Sequence, residues 1–172
     1  MYAFNKIQIL RAMKIIDKLK KEHEIDLEKG KRGEKVEDVL IARYRGYALN
    51  AVEFAYHFYE IKLDFSEESI ECVEEILNKL SVTIEEVNPT EEQKKDITRF
   101  FAGYIGEVIR NKWGGNYIKE DEGPIKNNGV SLKVNSHYYY LLTKVYKRLT
   151  QGEKDNLLLY YQKIKQDIET NQ

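Results

Sequence analysis

The stretch from Val36 to Ile61 constrains this chain more than any other. Val36, Leu40, Tyr44, Tyr47, Ala51, Phe54, Ala55, Phe58 and Ile61 recur at the three- and four-residue spacing of one helical face. The pattern lasts for about seven turns, and no proline interrupts it. A helix this long with one apolar side must be covered by other elements along most of its length, so it predicts a helical domain built around a central spine. Tyr44, Tyr47, Phe54 and Phe58 lie on or near the stripe, with Tyr56 to one side. Aromatics at helical spacing read as core. Where a tyrosine is buried its hydroxyl needs a partner, which predicts an internal polar network with Arg43, Arg45 or a carboxylate.

Other segments supply that cover. Phe4, Ile7, Ile9, Leu10, Met13, Ile16 and Leu19 predict a first helix ending near Glu22, followed by a glycine-containing basic loop over 28–35, an exposed and mobile connection. Ser66 is placed to cap a third helix carrying Ile70, Val73, Ile76, Leu77 and Leu80, with Glu67, Glu68 and Glu71 in its first turns, where carboxylates suit the helix dipole. Asn88 and Pro89 leave helical geometry, Thr90 and Gln93 form a capping box, and the next helix runs to Trp113. Gly114 and Gly115 stop it. Residues 117–120 and the alternating Val130 to Val134 then read as paired strands, and two helices follow, from about His137 to Leu149 and from about Glu153 to Glu169. The expected architecture is mainly α (α+β): about six helices around a long central one, with a small antiparallel β-hairpin near residues 116–134, in a single domain over 1–172.

Composition excludes several classes of function. A lone Cys72 makes no internal disulfide and removes metal sites that need two thiolates. His57 lies between Glu53 and Glu60 on one helix, but His23 and His137 fall in separate segments, so no metal or other cofactor is expected. Phosphate-binding glycine loops, the nucleophile elbow and the His-Glu-x-x-His helix are all absent from the sequence. No apolar run approaches the roughly 20 residues of a membrane span, and Met1 to Lys6 do not open a signal peptide. A soluble, cytoplasmic domain is the expectation.

Charge is unevenly spread. Residues 63–93 carry ten Asp and Glu against one Lys, within a chain whose formal net charge is only -1. The basic runs Lys29 to Arg32 and Lys144 to Arg148 are short, which argues against nucleic-acid binding. Helix capping explains Glu67 and Glu68 better than it explains Glu74, Glu75, Glu85 and Glu86, and these four are the expected contact residues for a basic protein partner.

The richest segment runs from Ile97 to Gly115. Gly103 and Gly106 inside a helix each cost about 1 kcal/mol relative to alanine, so close approach of another element has to compensate. Glu107 sits beside them among Phe100, Phe101, Tyr104, Ile105 and Val108, which predicts a buried carboxylate paired with arginine or tyrosine. Gly103, Gly106, Glu107, Arg110, Trp113, Gly114 and Gly115, together with Leu63 to Ile70 upstream and Lys144 to Asp155 downstream, resemble a group of small bacterial domains over roughly residues 60–165. Those domains share a Gly-x-x-Gly-Glu helix, a double glycine entering a strand and a C-terminal helix pair. This chain departs from them at Asn116-Tyr117, where tryptophan often begins the strand, and at Asn135-Ser136-His137, which replaces an Asn-Pro helix entry. Such domains recur beside polymorphic toxins, and the resemblance implies an immunity role, in which the protein binds and neutralises a basic toxin domain without catalysis. The alternative is a small-ligand pocket or an unrecognised enzyme site built on Glu107, Tyr104 and Arg110.

Overall fold

The computed structural model of the protein describes residues 36–119 and 129–170. The expected first helix, the basic loop over 28–35 and the turn residues from Asp121 to Asn128 lie outside the described residues. The spine is α1, Val36–Tyr59. It stops two residues before Ile61 because Glu60 turns into the left-handed region, φ 56°. Next come α2, Ser69–Val87, and α3, Glu91–Trp113. The capping box at the start of α3 is present: the Thr90 hydroxyl accepts from the Gln93 amide at 3.2 Å, and the Gln93 side chain accepts from the Thr90 amide at 2.9 Å.

The start of α2 is a correction. Phe65 takes φ 63° and the helix begins at Ser69, not directly after Ser66. Ser66 Oγ still accepts from the Ser69 amide at 3.2 Å, so the capping chemistry closes a preceding turn.

The sheet corrects a second expectation. It has three antiparallel strands in the order β1 (Asn116–Lys119), β2 (Val130–Val134) and β3 (His137–Tyr139). Residues 137–139 are therefore strand where the helical pattern had placed a helix start. Val134 pairs with His137 across the two-residue connection Asn135-Ser136, and Asn135 adopts φ 53°. That left-handed asparagine makes a tight hairpin turn, after which the aromatic residues extend. The helix α4 is correspondingly short, Leu141–Gln151, and Gly152 at φ 81° ends it.

The final helix is corrected too. Glu153–Asp155 forms one 3-10 turn, and α5 spans Leu157–Thr170, with Asn156 Oδ1 accepting from the Leu159 amide at 2.9 Å. Five α-helices and a three-stranded sheet are thus present among the described residues.

The main packing is α1 against α3. Gly103 meets Tyr44 and Tyr47, Phe101 meets Phe54 edge-on at 5.9 Å, and Glu107 meets Arg45, so the two helices run in opposite senses. The other side of α3 carries α4, and α2 packs on both α4 and α5. The core joins these layers through Ile70, Ile76, Leu77, Ile105, Ile109, Val145, Leu149 and Ile164, all buried. No described helix is long and apolar enough to cross a membrane.

Candidate functional site

Two glycines let α3 approach its neighbours. A Cβ on Gly103 would lie 2.7 Å from Tyr47 Cβ and 2.8 Å from the Tyr44 carbonyl oxygen of α1. A Cβ on Gly106 would strike the Tyr117 hydroxyl and come within 3.3 Å of Leu141. The helical cost of each glycine is offset by a close contact that no other residue permits.

The carboxylate of Glu107 lies in that crowded region and is 4% exposed. Arg110 Nη1 donates to both of its oxygens, at 2.8 and 3.0 Å, and Arg45 Nε donates to Oε2 at 3.2 Å. The Tyr117 hydroxyl donates to Oε1 at 3.1 Å, while its ring stacks on Tyr44 with centroids 4.1 Å apart. Burial pushes the Tyr117 hydroxyl well above its usual pKa, and the adjacent Glu107 charge adds to the effect. Arg110 also donates through Nε to the Gly115 carbonyl at 3.0 Å. Gly115 has φ 113°, and a Cβ there would sit 2.6 Å from the Lys133 carbonyl oxygen of β2. The double glycine therefore turns the chain out of α3 and seats β1 against β2.

Gly103, Gly106, Glu107, Arg110, Gly114 and Gly115 are gathered into one clamp joining α1, α3 and the sheet. Trp113 is not part of it and instead packs near Tyr161 of α5, at 6.1 Å between rings. Tyr104 is also turned away. Its hydroxyl accepts from the Phe65 amide at 2.7 Å and bonds the Ser69 hydroxyl at 2.6 Å. Both Glu107 oxygens are committed to protein donors, so the geometry makes this carboxylate a structural tie and not the centre of a pocket with Tyr104.

A second buried ion network went unread in the sequence. Arg148 of α4 is 1% exposed. Its Nε donates to Glu74 Oε1 at 2.7 Å, Nη2 to Asn78 Oδ1 at 2.8 Å and Nη1 to Ser81 Oγ at 3.3 Å. Glu74 also accepts from Asn156 Nδ2 at 3.1 Å and from the Leu157 amide at 2.8 Å. Glu74 is therefore the anchor between α2, α4 and α5. Its assignment to a contact surface outside the core is corrected, because its oxygens serve the interior. The available signal was register: Arg148 falls on the apolar side of α4 with Leu141, Val145 and Leu149, a position at which an arginine requires an internal acceptor.

The other acidic residues divide. Glu67 joins Lys112, Tyr161 and Lys165; burial pushes its pKa up, but these bonds outweigh it and hold the carboxyl below its usual 4.5. Glu91 binds Lys94 and the Tyr146 hydroxyl, and Glu92 binds Arg99. Glu75 is exposed and paired with Lys79 one turn away. Glu86 is exposed, whereas the side chain of Glu85 lies outside the described set.

Glu71, Glu75, Lys79, Val82 and Glu86, with Glu68 just before the helix, make up the exposed outer face of α2. Val82 is 68% exposed and edges a cleft of about 740 Å³ between α2, the start of α3 and the end of α4. Ser81, Asn88, Lys94, Gln151 and Glu153 also line it. The described residues contain no cluster able to hold a metal ion. Cys72 is half-buried and free, and His57 is exposed. Comparison with protein-family models, curated proteins and solved structures finds no match for the chain.

Proposed function

We propose that the protein is a non-enzymatic interaction protein that binds a basic protein partner through the outer face of α2, as a bacterial immunity protein neutralises its toxin. The observation that carries this reading is the row of exposed carboxylates along the outer face of α2. The carboxylates of Glu68, Glu71 and Glu86 have no hydrogen-bond or ion-pair partner among the described residues, and Lys79 is the one cation on that face. Two helices, α2 and α4, end beside the cleft, and the carbonyl end of a helix favours a cation. Lys94 within the cleft is already neutralised by Glu91. A lysine or arginine side chain from a partner would meet Glu153 in the cleft and Val82 as an apolar contact, and long-range attraction by the carboxylates of α2 would speed encounter.

The experiment is co-expression with the product of the adjacent gene. The reading expects that product to be toxic alone, tolerated with this protein, and bound by it in a purified complex. Glu75→Lys/Glu86→Lys should slow association and flatten its salt dependence while leaving the fold intact. Protection and binding that are unchanged in this variant at low and high salt would overturn the proposed surface.

A further inference from the structure

The spine helix has a second face that its buried stripe does not use. Ala42, Arg45, Leu49, Glu53 and Tyr56 recur at helical spacing and are all exposed, with Leu49 at 54% and Tyr56 at 60%. Gly46 and Val52 flank them. A large aliphatic and a large aromatic side chain two turns apart on one solvent-facing helix stripe form a patch that a second surface can cover.

We propose that a second copy of this chain covers it, with the two α1 helices packed antiparallel about a two-fold axis at Leu49. The residue pattern is self-complementary about that point. An axis through Leu49 sets Arg45 opposite the partner's Glu53 and Glu53 opposite the partner's Arg45. It also sets Tyr56 over the partner's Ala42 and Val52 over the partner's Gly46, so each large side chain faces a small one. Parallel pairing in register would instead set Arg45 on Arg45 and Glu53 on Glu53, which selects the antiparallel arrangement.

Both charged groups have capacity for the contact. Arg45 uses Nε for Glu107, and its terminal nitrogens carry no other partner among the described residues; Glu53 is exposed and likewise unpartnered. The one like-charge approach is Asp38 toward the partner's Glu60, at the solvated ends of the contact. The face from Ala42 to Tyr56 is about 21 Å long. At the roughly 10 Å width of one helix that is about 200 Å², well below the roughly 800 Å² per partner of a standard interface, so the association is weak and concentration-dependent.

Sedimentation of the full chain from micromolar to millimolar concentration should show a reversible monomer–dimer equilibrium. Leu49→Arg and Glu53→Arg should each raise the dissociation constant by about tenfold or more, with unchanged circular dichroism. In a Cys72→Ala background, Leu49→Cys should oxidise to a linked dimer much faster than Leu159→Cys, an exposed position on α5. A monomer at every concentration would overturn the inference. So would a dimer insensitive to Leu49→Arg, or a Leu49→Cys variant that links no faster than the control, since either would place the contact on another face or with another partner.

Discussion

The two buried ion networks are built with opposite polarity. At the α1–α3–sheet junction the deeply buried member is the acid: Glu107 is shut in, while Arg45 reaches solvent. At the α2–α4–α5 junction it is the base: Arg148 is shut in, while the Glu74 side chain is 14% exposed. A stranded carboxylate can take up a proton, whereas a guanidinium stays charged at any accessible pH. The second junction therefore tolerates loss of its partner less well than the first. The pairing also explains why one acidic residue of α2 is unavailable to a partner molecule while its neighbours face outward.

Breaking the Arg148 network from the acid side should give the largest effect. Glu74→Leu leaves a charge in the interior and should cost about 3–5 kcal/mol in urea unfolding, and adding Arg148→Met should recover most of that loss. Glu107→Gln retains the shape and one acceptor, and Arg45 stays open to water, so a smaller loss of about 1–3 kcal/mol is expected. A larger loss for Glu107→Gln than for Glu74→Leu would contradict the greater tolerance of the first junction.

The glycine contacts sharpen the comparison at the first junction. Gly103→Ala gains helix propensity but forces Tyr47 and the α1 backbone apart, for a net loss of about 1–3 kcal/mol. A melting temperature equal to the parent's would show that α1 and α3 can separate without strain.

The buried tyrosines, Tyr117 of the first junction among them, should report at high pH. Burial pushes the Tyr160 hydroxyl up to about 12 and holds those of Tyr104, Tyr117 and Tyr161 above their usual 10. The folded state keeps protons that the unfolded chain would release, so this contribution is complete below pH 10 and is lost as pH rises toward 12. Tyrosinate absorbance from these groups should accompany unfolding. Full titration near pH 10 with the fold intact would contradict their burial.

Much of this organisation was legible in the residues. The spine, the Thr90 cap, the strand pair on either side of 120–128 and the contact of Gly103 with α1 follow from periodicity, capping chemistry and the cost of helical glycine. Glu107 was legible because apolar neighbours surround it in sequence. The strand His137–Tyr139 was not: three residues are too few to show a period, and they adjoin a true helical pattern. Glu74 was hidden for another reason, since its partners Arg148, Asn156 and Leu157 come from more than seventy residues away. Runs of charge reveal where carboxylates are dense but not which of them turn inward.

The neighbouring pair Glu74 and Glu75 gives the most direct test, because the two share residue type, helix and sequence context. In one urea series, Glu74→Ala should lose about 3 kcal/mol or more, and Glu75→Ala should stay within about 0.5 kcal/mol of the parent. Equal unfolding midpoints for the two variants would contradict the division between an anchoring carboxylate and a solvent-facing one on which the account rests.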